Sequence, residues 1–521
     1  MANTSTQQEE LKGIGSKIRN AIWPIYDDEW KKFLPMALMM FFILFNYTML
    51  RDTKDSLVVT SVGAEVIPFL KGLVVMPASI LFVVLYAKLA NILTRQQLFI
   101  SVTGAFIAFF GLFAYYLYPH RELLHPSAET IAALKAAYPN IQHIISIYAI
   151  WTYSAFYMFS ELWGGVMVSL LFWQFANEVT RTKEAKRFYA MFGLIANVSL
   201  IFSGYTVRYF SNIQESLPEG VDAWGYSLNY MMSAVVVSGL LVIVIYQWMN
   251  AKILTNPKFY DAVQAKEEKS KKVEKPKLSV IESFRYLLTS KYLGCIALLI
   301  LCYGLSINLI ELIWKSQVKL RFPSPNDYNA FMGLFSMMTG IATIITILFL
   351  KGIVSRYGWK RGAMITPMVL AITGAIFFAF IFFRDSLDFI LSIVGVTALN
   401  MAVYFGALQN VLSKATKYAL FDPTKEMAYI PLDQEIKIKG KAAVDVIGGR
   451  LGKASGGYIA GALLVITATK DILTIAPLLA GVIALVIGVW FWAVKVLNKM
   501  YQEKLAETER EEQPKNMQEA A

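Results

Sequence analysis

The stretch Leu50-Arg51-Asp52-Thr53-Lys54-Asp55 puts four charged side chains within five residues, directly after an almost wholly apolar run from Phe33 to Met49. Ser56-Leu57-Val58-Val59 follows, then Gly63 and a second apolar run. The preceding run has the length and composition of a membrane span. The motif that interrupts it carries no net charge, so it is not the basic patch that holds a helix end on the cytoplasmic side. Two readings compete. Either the helix has reached water on the far side, or it continues with Lys54 lining a polar path inside the membrane, where an ionisable residue marks function by default.

The rest of the chain repeats the pattern of apolar run and charged break. Of 521 residues, 56% are hydrophobic and only 17% charged, where a soluble chain carries about a quarter. This predicts an all-α, polytopic membrane protein. Its expected spans are 33–57, 66–90, 97–118, 142–178, 188–212, 226–252, 289–320, 328–352, 362–384, 387–416, 441–468 and 471–498. The fourth is long enough to tilt, to protrude, or to kink at Gly164-Gly165. The polar segment 1–32 has neither the apolar core nor the cleavage site of a signal peptide. Cys295 and Cys302 lie seven apart on one expected helix and cannot bridge each other there.

Charge fixes an expected orientation. With 1–32, the even-to-odd loops and 499–521 placed in the cytoplasm, that side holds 36 of the 49 lysines and arginines, counting those at span ends. The outer loops hold Arg121, Lys135, Lys319, Arg321, Arg384 and Lys470. Both termini are therefore expected inside. The net charge of +12 gathers in loops on alternate sides, which argues against nucleic acid as partner. The longest cytoplasmic connection, 253–288, contains Glu267-Glu268-Lys269-Ser270-Lys271-Lys272 and reads as a solvated linker. It divides the chain into six-helix bundles over 33–252 and 289–498. The outer loop from Pro119 to Gln142 has good helix formers from Ala128 to Ala137. The tail 499–521 reads as a frayed amphipathic helix or disorder.

The halves echo each other faintly. Glu311 lies 257 residues after Lys54, and Lys186-to-Gly193 shares a Lys-x6-Gly frame with Lys441-to-Gly448. Gly352-Ile353-Val354-Ser355-Arg356-Tyr357-Gly358-Trp359-Lys360-Arg361 resembles the loop signature of the major facilitator superfamily, with serine where that signature has aspartate. Two parallel six-helix repeats around a central site, rocking to give alternating access, are the expected major-facilitator-like architecture.

Seven charges remain at membrane depth once the loops are set aside: Arg51, Lys54, Glu161, Glu311, Lys315, Arg450 and Lys453. At about 2.5–3.5 kcal/mol each at a helix centre, they cannot face lipid and must face one another or water. Five are basic and two acidic, and a surplus of cations in a cavity suits an anion with several negative charges. Asn308, Glu311 and Lys315 share one helix face. Arg450 and Lys453 lie among Gly448, Gly449, Gly452, Gly456 and Gly457, which allow either close helix packing or close approach to a ligand. The run from Gly448 is not a phosphate-binding P-loop: three residues, not four, separate its glycines, and Ala454 stands at the hydroxyl position. Asn197 could read a base edge or satisfy an interhelical hydrogen bond. Tyr157 and Trp314 are candidates to stack on a purine, although most aromatics of such a chain are packing. The three histidines have no ligand spacing, and no metal, cofactor or acid–base set is evident.

Several uncommon stretches together resemble the ATP/ADP translocase family of obligate intracellular bacteria and plastids. They are Leu50 to Asp55; Glu161-Leu162-Trp163-Gly164 with Phe172-Trp173-Gln174-Phe175-Ala176-Asn177; Lys186-Arg187-Phe188-Tyr189 with Gly193 and Asn197; and Glu311-Leu312-Ile313-Trp314-Lys315-Ser316 followed by Phe322-Pro323-Ser324-Pro325-Asn326. The resemblance covers nearly the whole chain. It implies import of ATP in exchange for ADP, with phosphate in some members; a monomer without cofactor is expected. It places the family's membrane charges on Lys54, Glu161, Glu311 and Lys453 and ties Asn197 to adenine. With no long leader, it favours a bacterial inner membrane. Three other readings stay open: a carrier of another nucleotide or a sugar phosphate, a proton-coupled symporter using Glu161 or Glu311, and a membrane-embedded enzyme.

Overall fold

A computed structural model describes residues 25–26, 29–256, 259, 290–350, 352–432, 434–469 and 471–519; the side chains of 182, 183, 186, 434–439, 442–443, 445–451, 453–454 and 508–519 lie outside that description. The described residues are almost entirely helical. In chain order they form α1 (Trp30–Val62), α2 (Ala64–Ile92), α3 (Arg95–Leu117), α4 (Ala128–Ala137), α5 (Gln142–Ala149), α6 (Trp151–Val179), α7 (Thr182–Ser211), α8 (Ala223–Ile253), α9 (Lys291–Arg321), α10 (Pro325–Leu350), α11 (Trp359–Phe382), α12 (Arg384–Val394), α13 (Ala398–Met427), α14 (Gln434–Thr467) and α15 (Ala476–Glu519).

Every expected span falls on a helix. Among the described residues, ten helices are long and apolar enough to cross a membrane, and eleven if α12 and α13 are taken as one bent span. The chain is a multi-pass membrane protein. The eleventh expected span falls on α14, where only Ser455–Thr467 is described as an apolar stretch. Side-chain caps mark many helix starts. Thr94 and Gln97 form a capping box at α3, and Ser127, Asp222, Ser290 and Thr397 accept backbone N–H bonds at α4, α8, α9 and α13. The outer-loop helix spans Ala128–Ala137, the residues whose propensities suggested it.

Two elements differ from expectation. The fourth span breaks at Ile150 (φ −120°, ψ 41°), so α5 is separate, and at Gly164 the helix widens to a π-helical stretch, Gly164–Phe172, instead of kinking sharply. The tenth span is displaced: α12 meets α13 at 96°, with Gly395 at φ +71°, a left-handed turn that glycine makes without strain. The span proper starts at Ala398 and runs to Met427. Of the two readings of the tail, helix is the one found: α15 continues to Glu519.

In the first half of the chain α1 packs on α6, α7 and α8; in the second α9 packs on α13, α14 and α15, and α11 on α13 and α15. The seams between the halves are α7 on α10, α1 on α10 and α2 on α14. Small residues allow the first of these backbones to approach closely. A Cβ on Gly204 would lie 2.4 Å from the Gly333 carbonyl oxygen, and one on Gly340 would lie 2.7 Å from that of Asn197. Gly452 plays the same part inside the second half, where a Cβ on Gly304 would lie 2.7 Å from its oxygen.

Candidate functional site

Helix α1 runs unbroken through the charged motif to Val62, so Arg51 to Asp55 lie inside the bundle and not at a helix end in water. Asp52, Thr53, Lys54, Asp55 and Ser56 are all at most 3% exposed. At this depth the motif meets charges from α6 and α9. Lys54 Nζ sits 2.9 Å from Asp55 and 3.0 Å from Glu161, and 3.8 Å above the Tyr157 ring. Asp55 also accepts Lys315 at 2.9 Å, and Lys315 reaches Glu311 on its own helix at 3.1 Å. Lys414 of α13 lies 3.5 Å from the other Glu311 oxygen. Each carboxylate thus offsets the burial of a cation, which alone would cost several kcal/mol.

Beside this cluster opens a cavity of about 480 Å³, large enough for a nucleotide-sized ligand. It is lined from α1, α2, α6, α9 and α13 by Arg51, Lys54, Lys71, Lys315, Lys414, Lys417 and Lys425 against Asp55, Glu161, Glu311 and Asp422. Seven cations face four carboxylates on the wall; Asp52 and Glu426 behind it pair with Arg51 and Lys425, so cations still outnumber carboxylates by one. Tyr47, Tyr303, Tyr418 and Phe421 supply aromatic wall, and Tyr418 is half-exposed.

The cavity extends toward Ile300 and Lys425, near the bundle end where α9 begins and α13 stops. At the opposite end a polar lock closes it between the halves. Ser336 of α10 donates to Asp52 at 2.5 Å and accepts from Arg51 at 2.7 Å. Ser56 donates to Asn329 at 2.9 Å, and Asn329 donates to Ser211 at 2.9 Å. Asn326 donates to Ser227 at 2.7 Å, and Gln214 donates to Asp327 at 2.7 Å. Together with Asp55–Lys315, these bonds tie α1, α7 and α8 to α9 and α10.

Of the residues singled out from sequence, Arg51, Lys54, Glu161, Asn308, Glu311 and Lys315 converge on the cavity wall. The side chains of Arg450 and Lys453 lie outside the described residues. Asn197 is not on the wall: its amide donates to the Gly193 carbonyl of its own helix at 2.9 Å, at the α7–α10 seam. Tyr157 and Trp314 are fully buried. Tyr157 lies beneath Lys54, and Trp314 donates to the Val403 carbonyl and packs on Phe335, so neither ring is open to a purine. Sequence reasoning passed over Asp55, Lys71, Lys414 and Lys417. Asp55 was visible as a charge in the motif. Lys71 was countable within the second span. The two α13 lysines looked like a cytoplasmic flank because the tenth span was set eleven residues too early.

Comparison with known proteins gives this geometry its context. The solved structures of a bacterial homologue of the iron transporter ferroportin (TM-score 0.54, 12% identity, 88% of this chain and 99% of that one) and of the E. coli xylose transporter XylE (TM-score 0.52, 12% identity, 90% and 99%) share the fold, which is of the major-facilitator type. The chain is 49% identical over 500 residues to "ADP,ATP carrier protein 1" of Chlamydia muridarum, covering 95% of this chain and 93% of that protein. It is 45% identical to the protein of that name from Rickettsia prowazekii over 94% and 96%. It is 46% identical to the chloroplastic one of Arabidopsis thaliana over 93% and 76%. The family described as TLC ATP/ADP transporter matches residues 7–501, and the chain belongs to that family.

Proposed function

We propose that this protein is a nucleotide antiporter that imports ATP in exchange for ADP by alternating access. The halves 33–252 and 289–498 rock about one central site, with 253–288 as the linker between them. The observation that carries the reading is the cavity between the halves, with its cation-rich wall and nucleotide-sized volume. Family membership supports the cargo, since relatives along nearly the full length are named ADP,ATP carrier proteins. In this reading the protein sits as a monomer in a bacterial inner membrane with both termini cytoplasmic. The open end of the cavity then faces the cytoplasm, and the polar lock closes the outer side. The protein moves its cargo without chemical change; inorganic phosphate is a candidate co-substrate, and Arg450 and Lys453 of α14 are candidates to complete the site.

The ion pairs suggest how exchange is enforced. Asp55 holds Lys54 and Lys315 together across the halves, while Glu161 and Glu311 occupy the remaining cation valence. A polyphosphate entering the cavity offers those lysines a richer set of acceptors and frees the carboxylates. Cargo speeds crossing only by stabilising the occluded state more than the open ones. The empty carrier, with its lock intact, crosses rarely.

Counterflow tests the reading. Proteoliposomes preloaded with ADP are expected to take up labelled ATP, and empty or GTP-loaded ones to take up almost none. Rapid uptake into empty vesicles driven by a pH gradient would instead establish proton symport, and competition by unlabelled sugar phosphate would change the cargo. The lock supplies a second test. Asp55→Asn removes the anion shared by Lys54 and Lys315, so the ratio of uptake in ADP-loaded to empty vesicles is expected to fall about tenfold, on the scale of one charge-assisted bond. An unchanged ratio would exclude Asp55 from coupling.

A further inference from the structure

The cations on the cavity wall are not equivalent. Arg51 is paired with Asp52, Lys54 with Asp55 and Glu161, Lys315 with Asp55 and Glu311, Lys414 with Glu311, Lys417 with Asp422, and Lys425 with Glu426. Lys71 alone among them has no carboxylate at ion-pair distance among the described residues. It lines both the main cavity and a small recess that continues from it between α2, α9 and α14, walled by Pro68, Asn308, Glu311, Lys315 and Gly457. Its helix is modified where it stands: α2 is π-helical from Leu70 to Val75, one of several such widened turns in the described residues and of a kind frequent at functional sites. Glu161 and Glu311 share its cavity wall but are engaged by Lys54, Lys315 and Lys414, and a partly buried ammonium within the membrane without a carboxylate at ion-pair distance is stabilised when a further anion reaches it.

We propose that Lys71 is a substrate-binding residue whose partner is an anionic oxygen of the nucleotide's phosphate chain, so that α2 grips the cargo together with Lys54 of α1 and Lys315 of α9. This rests on the nucleotide-exchange reading. The other cations are held in place by protein carboxylates before cargo arrives, whereas Lys71 gains its counter-charge from the cargo itself. The position also has a mechanical consequence. One residue on, Gly72 packs on Tyr458 of α14, where an added Cβ would lie 3.1 Å from the ring. Lys71 therefore grips cargo at a seam between the halves.

The test is the concentration dependence of ATP uptake into ADP-loaded proteoliposomes by the wild type, Lys71→Gln, Lys71→Met and Lys71→Arg. Absence of ADP-dependent uptake by the wild type would remove the exchange reading itself and this inference with it. With wild-type exchange present, Lys71→Gln and Lys71→Met are expected to raise the ATP concentration at half-maximal rate about tenfold or more, the effect of one lost charge-assisted bond. Lys71→Arg is expected to stay within about threefold. ATP-induced thermal stabilisation of the purified proteins should follow the same order, and it reads binding without transport. A half-maximal concentration within about twofold of wild type in Lys71→Gln and Lys71→Met, or a loss confined to the maximal rate with ATP stabilisation intact, would overturn the assignment.

Discussion

Lys54→Ala is expected to lower ADP-dependent ATP uptake about a hundredfold or more while the protein still inserts and purifies as a monodisperse species. Lys54 is 3% exposed and its ammonium is shared among Asp55, Glu161 and the Tyr157 ring. Its removal has two separable effects. It deletes a cation that the cargo needs, and it leaves two carboxylates at membrane depth short of a partner, a change of about 3–5 kcal/mol for a buried pair. Asp55 keeps Lys315 and Glu161 is 30% exposed on its side chain, so the structural part of the loss is partly relieved. A second variant separates the two effects. Lys54→Ala combined with Glu161→Gln removes the uncompensated charge and should recover thermal stability without recovering transport; a coupling energy between the two sites in stability but none in rate is the signature. Uptake by Lys54→Ala within about threefold of wild type would remove Lys54 from the transport cycle.

Gly204→Val is expected to abolish exchange through sterics alone. Its Cβ would fall 2.4 Å from the Gly333 oxygen and 2.6 Å from the Met337 nitrogen. Both are backbone atoms of α10, so no rotamer change relieves the clash and α7 and α10 must separate. Overpacking of this kind costs about 1–3 kcal/mol or more. The closed side of the cavity depends on the same seam, because Ser211, Asn326 and Asn329 of the polar lock lie on it. The variant should therefore be held open at that side. Thiol labelling of a Met332→Cys reporter, at a buried α10 position outside the lock, from the Val62 end of α1 is expected to be fast in Gly204→Val and slow in the parent. Gly481→Ala, at a position where an added Cβ meets nothing within 4 Å, is the matched control and should behave as wild type. Normal exchange by Gly204→Val would show that the seam is not required to close.

The span pattern and the fold class were legible because membrane helices announce themselves by length and apolarity. Much of the candidate site's wall was legible for the same reason in reverse: a charge within such a run is costly, so Lys54, Glu161, Glu311 and Lys315 stood out against their surroundings. Two kinds of feature escaped. One was register. Composition across 387–416 is mostly apolar, and Gly395 followed by Thr397 is too short a signal to mark the left-handed turn that folds α12 away and slides α13 inward, carrying Lys414 and Lys417 into the cavity. The other was partnership. Asp55 belongs to the motif that opened the reading, yet linear spacing does not show that its carboxylate reaches Lys315, 260 residues on. Asn197 illustrates the converse: a polar side chain inside a span looks like a ligand-binding group, but its own helix carbonyl satisfies it.

The central claim is that cations from both halves of the bundle converge on one phosphate chain. A structure of the protein with ATP bound tests it most directly. The account predicts the polyphosphate in the central cavity, with its oxygens within hydrogen-bond distance of Lys54 and Lys315 and the Asp55 bridge between them released. A nucleotide bound elsewhere, or one whose phosphates leave the Lys54–Asp55–Lys315 bridge intact, would contradict it.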